Sequence, residues 1–364
     1  MTSTPTPTTT RTTTQTIADA ISIPKAAPAN SFVLHAPLEL MARTQLRRYV
    51  PVGARQATDD RIEWLAAEYE NAGDPVPQPA AVDGPPDPSA LIAAVAEGDQ
   101  DLVDAMAAAW VWQWTALDAA GALGEAFVPS LAAAGHAPIG MSLLLRDASM
   151  PTTLLRGPLR ALAANPQWRL TWHRSANGNG DPEGFYAALR AAPQLGQPGS
   201  NFIYPLMTQA VESGEAERLL SPLLADRYDV QGALRTVTRV AAWSMLHDDP
   251  SQAPYGWTHA LTMPQAVLSL AGVGVSPRTA LAVAGTFALG FRLALGTVEL
   301  PRVIEPPVTV ASTPEVAAAA ARHEDAHLVK FTLACIHAAA ADPEFEGLYL
   351  NAAARLIEWW RGAA

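Results

Sequence analysis

The run Arg322-His323-Glu324-Asp325-Ala326-His327-Leu328-Val329-Lys330 gathers two imidazoles, two carboxylates and an amine into one short stretch of helix-forming sequence. Spacings of four and three return to the same side of an α-helix, so His323, His327 and Lys330 are expected on one face. The run also spells H-E-x-x-H, in which two histidines bind zinc and the glutamate serves as general base. On that reading Glu344 or Glu346, on the next helix, supplies the third ligand of a zinc hydrolase. Two residues oppose it. Asp325 puts a second charge inside a motif that usually lies in a packed helix, and Lys330 would be a cation beside the metal.

His327 and Lys330 point with Ala334 toward the apolar side of the predicted helix, where an unpaired ammonium is costly. Those two read as a site, whereas His323, Glu324 and Asp325 read as a solvated helix start. Elsewhere, Leu34-His35-Ala36-Pro37 and Gly135-His136-Ala137-Pro138 place a histidine two residues before a proline able to open a helix, and His259 precedes Pro264. An imidazole at a helix start stays neutral, because the positive end of the dipole disfavours imidazolium, and the neutral ring can offer a lone pair to a metal. Taken alone, each of these three reads first as a hydrogen-bonded structural histidine. His337 is ten residues beyond His327, about 15 Å along a helix, and cannot share a mononuclear site with it.

The N-terminal His35, Gly135-His136-Ala137-Pro138, Thr258-His259-Ala260-Leu261-Thr262 and above all Asp325-Ala326-His327-Leu328-Val329-Lys330 together resemble the questin oxidase-like family, over about residues 31–361. The resemblance implies an O2-dependent enzyme that opens aromatic polyketide rings of the anthraquinone kind, a non-haem iron oxygenase of secondary metabolism. It implies Fe(II) held by His35, His136, His259 and His327, with Lys330 at the metal. If Lys330 takes up CO2, the carboxylated amine supplies the anionic oxygen that a carboxylate gives in the two-His-one-carboxylate iron site. Whether one or two oxygen atoms enter the product stays open. So do the zinc hydrolase and a non-catalytic protein that binds an aromatic ligand.

Ten tryptophans are present, and Trp257, beside His259, is the candidate to stack on a flat small-molecule substrate. No Gly-rich phosphate loop follows a strand, so a reductant such as NADPH, if one is used, comes from outside.

The elements that must position these groups are helices. Alanine is abundant, period-two clusters of Val, Ile and Thr are scarce, and turn signals separate apolar runs of helical length. The expected fold is all-α: a single large helical domain over residues 31–364 behind a disordered Thr/Pro-rich arm, residues 1–30. Specific expectations are a helix opening at Pro37, a turn at Asn177-Gly178-Asn179-Gly180, and one organising helix from Pro314 to Ala341. The interrupted apolar stretch Met263 to Leu295 fits a buried hairpin better than a membrane span.

The 364 residues allow a sizeable core. With 24 Lys and Arg against 35 Asp and Glu, the net charge of −11 argues against nucleic acid. The single cysteine, Cys335, allows no disulfide within the chain, and the N-terminus lacks the pattern of a secretory signal. A cytoplasmic protein is expected. Oligomeric state is not legible.

Overall fold

A computed structural model describes residues 13–26, 30–176, 178, 184–199, 203–225 and 229–363. The first three helices are α1 (Thr13–Ile21), α2 (Ser31–Leu46) and α3 (Arg55–Asn71). Then come α4 (Pro88–Glu97), α5 (Gln100–Trp110), α6 (Ala116–Phe127), α7 (His136–Arg146) and α8 (Arg156–Leu162). Three short helices follow, α9 (Gly184–Arg190), α10 (Ile203–Glu212) and α11 (Glu215–Leu220). The C-terminal part holds α12 (Val230–His247), α13 (Thr258–Leu270), α14 (Pro277–Leu295), α15 (Thr313–Ala321), α16 (Ala326–Ala341) and α17 (Glu346–Ala363). Among the described residues β-structure is confined to three isolated bridges, so the fold is all-α.

Four helices make its centre. α2 packs on α7, α7 on α13, α13 on α16, and α16 back on α2, closing a ring. Each is nearly surrounded: in α13 all but Ser269 is buried, and in α16 every residue from Ala326 to Ile336 is. A helix apolar on all sides must lie inside the protein, and outer helices cover these four. α14 is long and apolar enough to cross a membrane by length and composition, yet every residue of it from Thr279 to Leu295 is buried against the rest of the chain. It is a core helix, as the interruptions at Pro277, Arg278 and Arg292 suggest.

Three boundaries differ from expectation. Thr13–Ile21 is helical and buries Ile17, Ala18 and Ile21, so order begins well before Ser31; residues 1–12 and 27–29 lie outside the described residues. The expected turn at 177–180 also falls largely outside them. α2 starts at Ser31, capped by the Asn30 side chain on the Val33 N–H (2.8 Å), which leaves Pro37 in the interior. Last, the expected helix from Pro314 to Ala341 is two helices, broken between Ala321 and Ala326.

Candidate metal centre

Each of the four central helices brings one histidine to a common point: His35 on α2, His136 on α7, His259 on α13 and His327 on α16. Their side chains meet. Ring centroids are 4.5 Å apart for His35 and His136, 4.5 Å for His35 and His327, and 5.0 Å for His259 and His327. Lys330, one turn along α16 from His327, is 5% exposed, and its Nζ is buried without a hydrogen-bond partner.

The local backbone fixes which nitrogen each ring presents. In His35, Nδ1 donates to the Ser31 carbonyl one turn earlier (2.6 Å), and in His259 the same atom donates to the Tyr255 carbonyl (2.7 Å). His327 Nδ1 donates to Asp325 Oδ1 (3.1 Å). A proton held on Nδ1 leaves the Nε2 lone pair free, the orientation that outer-shell partners impose on metal-binding histidines. Nε2 of His35 and both ring nitrogens of His136 are buried with no partner. Orphaned buried polar atoms are rare in folded proteins, and here they cluster with an orphaned amine.

His136 reaches the cluster by a strained turn. Ala133, Ala134 and Gly135 have φ of 49°, 51° and 77°, three successive residues in the left-handed region, directly before the first residue of α7. A Cβ on Gly135 would lie 2.5 Å from Met263 Sδ, one turn beyond His259 on α13. Glycine thus lets the turn carrying His136 press against the helix carrying His259.

His327 is held by a second device. Asp325 caps α16, accepting the N–H of His327 (2.7 Å) and of Leu328 (3.4 Å), while its carboxylate also takes the imidazole proton. The turn that carries Asp325 is gripped from below. Arg43, fully buried on α2 beside Glu39, donates to the carbonyls of Ala321 (2.5 Å) and His323 (2.5 Å), and Arg61 on α3 donates to that of Glu324 (3.0 Å).

Burial keeps the rings uncharged. Desolvation, assisted by Lys330 and neighbouring histidines, holds His35, His136 and His259 well below the usual imidazole range. Desolvation also lowers His327, against the opposing pull of Asp325. The Lys330 amine is lowered to about 8, by burial first, with Asp325 and Glu39 pulling the other way. At pH 7 about one-tenth of that amine is therefore unprotonated, far more than for an ordinary lysine.

These groups suit a transition metal in kind and in spacing. With a metal–nitrogen bond of about 2.1 Å, two imidazoles at right angles on one ion have centroids roughly 4.5 Å apart. No group of three or more His, Cys, Asp or Glu side chains among the described residues is already closed to metal-holding geometry. What speaks for a metal here is the close approach of the rings and the unpartnered nitrogens among them.

His323 does not join. It lies outside α16, its Nδ1 accepts the Asp325 N–H (3.0 Å), and its ring rests against Trp360, 5.2 Å away. Glu344 and Glu346 are exposed beyond the far end of α16, about 22 Å along the axis from His327. The H-E-x-x-H spacing is real in sequence but does not lie on one helical face. Trp257 is not at the cluster either: it is 1% exposed and packs on Phe291, at 6.4 Å between centroids. His337 stands apart on α16, as its spacing requires, with burial lowering it to about 3.

Three residues that sequence reasoning passed over do border the site. Tyr255, 47% exposed, sets its ring edge-on to His327 at 5.1 Å and to Trp360 at 6.4 Å. Its position four before His259 was the available signal, as was that of Asp325 before an apolar helix start. Nothing in the sequence marked Trp360. On the solvent side Arg322, His323, Asp325, Leu328, Trp360 and Arg361 line an open depression of about 720 Å³.

The chain matches no family model, no curated protein and no solved structure. Its fold and site define a class only: an all-α protein whose central helices bring four neutral imidazoles and a desolvated amine together. The likeness to the questin oxidase-like family rests on the motif residues themselves.

Proposed function

We propose that this protein is a metal-dependent oxygenase that binds Fe(II) through His35, His136, His259 and His327, with Lys330 beside the ion. The observation that carries this reading is the cluster of orphaned nitrogens, on His35, His136 and Lys330, at the junction of four helices. Ser31, Tyr255 and Asp325 hold the imidazole protons away from the centre and present lone pairs inward. When bound, iron(II) supplies the capacity to activate O2. Carboxylation of Lys330, in which the neutral amine adds to CO2 and releases one proton, would turn an uncompensated cation into an anionic oxygen donor. The surrounding apolar helices exclude bulk water from that donor set.

The reaction, oxidative C–C or ring cleavage of an aromatic polyketide, follows from the motif resemblance. Any reductant, such as NADPH, would be external. A zinc hydrolase built on His323, Glu324 and His327 is disfavoured by the break before α16.

Elemental analysis of anaerobically purified protein tests the reading. Iron near one per chain is expected, lost in His327→Ala and kept in His323→Ala. Retained stoichiometric iron in His327→Ala would refute the ligand assignment; zinc lost in both variants would favour the hydrolase.

A further inference from the structure

We infer that a narrow crevice between α7, α13 and α16 is a port through which CO2 reaches the Lys330 amine from solvent. The inference rests on the proposed carboxylation of Lys330 for its purpose, but apart from Lys330 the port is built from residues outside the ligand set. Four observations carry it.

The crevice continues the histidine faces outward. Ile139, Thr262 and Lys330 line it, and each stands three positions after a cluster histidine, His136, His259 or His327, on the same helix. Spacings of three and four then carry the lining along α7 to Arg146 and along α16 to His337. The crevice therefore runs about 10 Å along these helices, from buried Lys330 to exposed Arg146.

Its size suits a very small molecule. The volume, about 30 Å³, holds on the order of two waters. Sites for organic ligands are roughly ten times larger or more, so this opening takes no aromatic substrate.

Its inner end is a nucleophile without a partner. Lys330 Nζ is buried and makes no hydrogen bond, and because it is closed to solvent the Lys330 stem is the last barrier. Of the 24 Lys and Arg residues only Lys25 and Lys330 are lysines. An amine can add to an electrophilic carbon, which the guanidinium used elsewhere in the chain does not do.

Its mouth is cationic. Arg146 stands beside His337, which burial and that guanidinium keep neutral, and no carboxylate lines the crevice. Asp147, next along the chain, pairs with Arg48 instead (2.6 Å). In a protein of net charge −11 this is a local reversal of the field, one that draws bicarbonate, the anion in equilibrium with CO2.

Cyanate tests the port. Its conjugate acid, HN=C=O, is isoelectronic with CO2. The Lys330 nitrogen adds to its carbon, the C=N π pair takes up the proton that the amine gives up, and a stable urea forms with nothing released. The full chain, dialysed free of metal and bicarbonate, is treated with cyanate, and peptide mass spectrometry follows Lys330 and Lys25, whose amine lies at the surface. Wild-type Lys330 should be modified, and added bicarbonate should slow it without slowing Lys25. Ala334→Leu, which fills the crevice, should slow Lys330 by about ten-fold while Lys25 and helix content stay at wild-type values. Should Ala334→Leu fail to fold, Arg146→Glu decides, since reversing the charge at the mouth should also slow Lys330 by about ten-fold. An unreactive wild-type Lys330, or one rate in every folded variant, overturns the inference. A chain that holds iron through the histidines before dialysis but shows no dependence on Ala334 or Arg146 overturns the port alone. A chain that takes up no iron yet shows that dependence supports the port and overturns the oxygenase reading alone.

Discussion

Asp325 shows how much one carboxylate can fix. It caps α16, sets the tautomer of His327, and lies in the turn that Arg43 and Arg61 grip through backbone carbonyls. Asp325→Asn keeps a capping oxygen but replaces the anionic acceptor of the imidazole proton. Metal affinity should fall by about 10- to 100-fold, measured by competition with a chelator, and stability by no more than about 1 kcal/mol. Unchanged affinity would mean that packing alone orients His327. Arg43 makes a different case. It is fully buried against Glu39, so Arg43→Met strands a carboxylate and two carbonyls without a donor. A loss of about 3–5 kcal/mol is expected, read from urea unfolding. Lys330 should yield a carbamate signal in carbon-13 NMR under labelled bicarbonate, absent in Lys330→Met; a wild-type spectrum without that signal would leave Lys330 as an amine.

Among the elements, the turn Ala133-Ala134-Gly135 is the one whose backbone opposes its sequence. An alanine in the left-handed region costs about 1–2 kcal/mol, whereas glycine adds roughly 0.5–1 kcal/mol of unfolded-state entropy. Ala133→Gly and Ala134→Gly should each therefore stabilise by about 0.5–1 kcal/mol in thermal unfolding. Gly135→Ala should destabilise, meeting both a φ of 77° and Met263 Sδ. If the alanine variants are also destabilised, the turn is not strained as its angles imply. The helices themselves were legible because composition and period declare them; His35, His136 and His259 were legible as histidines ahead of prolines, and His327 by its helical spacing from Lys330. Two devices were not. Arg322, His323 and Glu324 are all acceptable within a helix, so the break that makes Asp325 a cap left no mark in periodicity. Pro37 reads as a first-turn residue, yet it sits seven residues into its helix, tolerated because tertiary packing overrides the lost hydrogen bond. Trp257 was chosen for closeness in sequence to His259, but two residues along a helix is about 200° around it. The indole accordingly faces Phe291 and the core.

For the molecule as a whole, burying histidines uncharged ties stability to pH. His337 is lowered to about 3 by burial, with Arg146 adding to the effect, so below pH 6.5 the unfolded chain binds a proton that the folded chain does not. Stability contributed by this group is full above 6.5 and falls as pH drops toward 3, by up to about 1.4 kcal/mol per unit. In metal-free protein the four cluster histidines act in the same direction. Urea midpoints should decline from pH 7 to pH 4, less steeply in His337→Gln; parallel slopes would place the proton uptake elsewhere. The grip of Arg43 on the Ala321 carbonyl joins residues 278 apart. During synthesis, α2, α7 and α13 leave the ribosome with three imidazoles well before α16 brings the fourth, its cap and the amine. Assembly of the centre is thus a late event of high contact order. A nascent or prematurely terminated chain cannot gather all four imidazoles and the amine, so under the proposed reading metal loading would have to follow synthesis of α16.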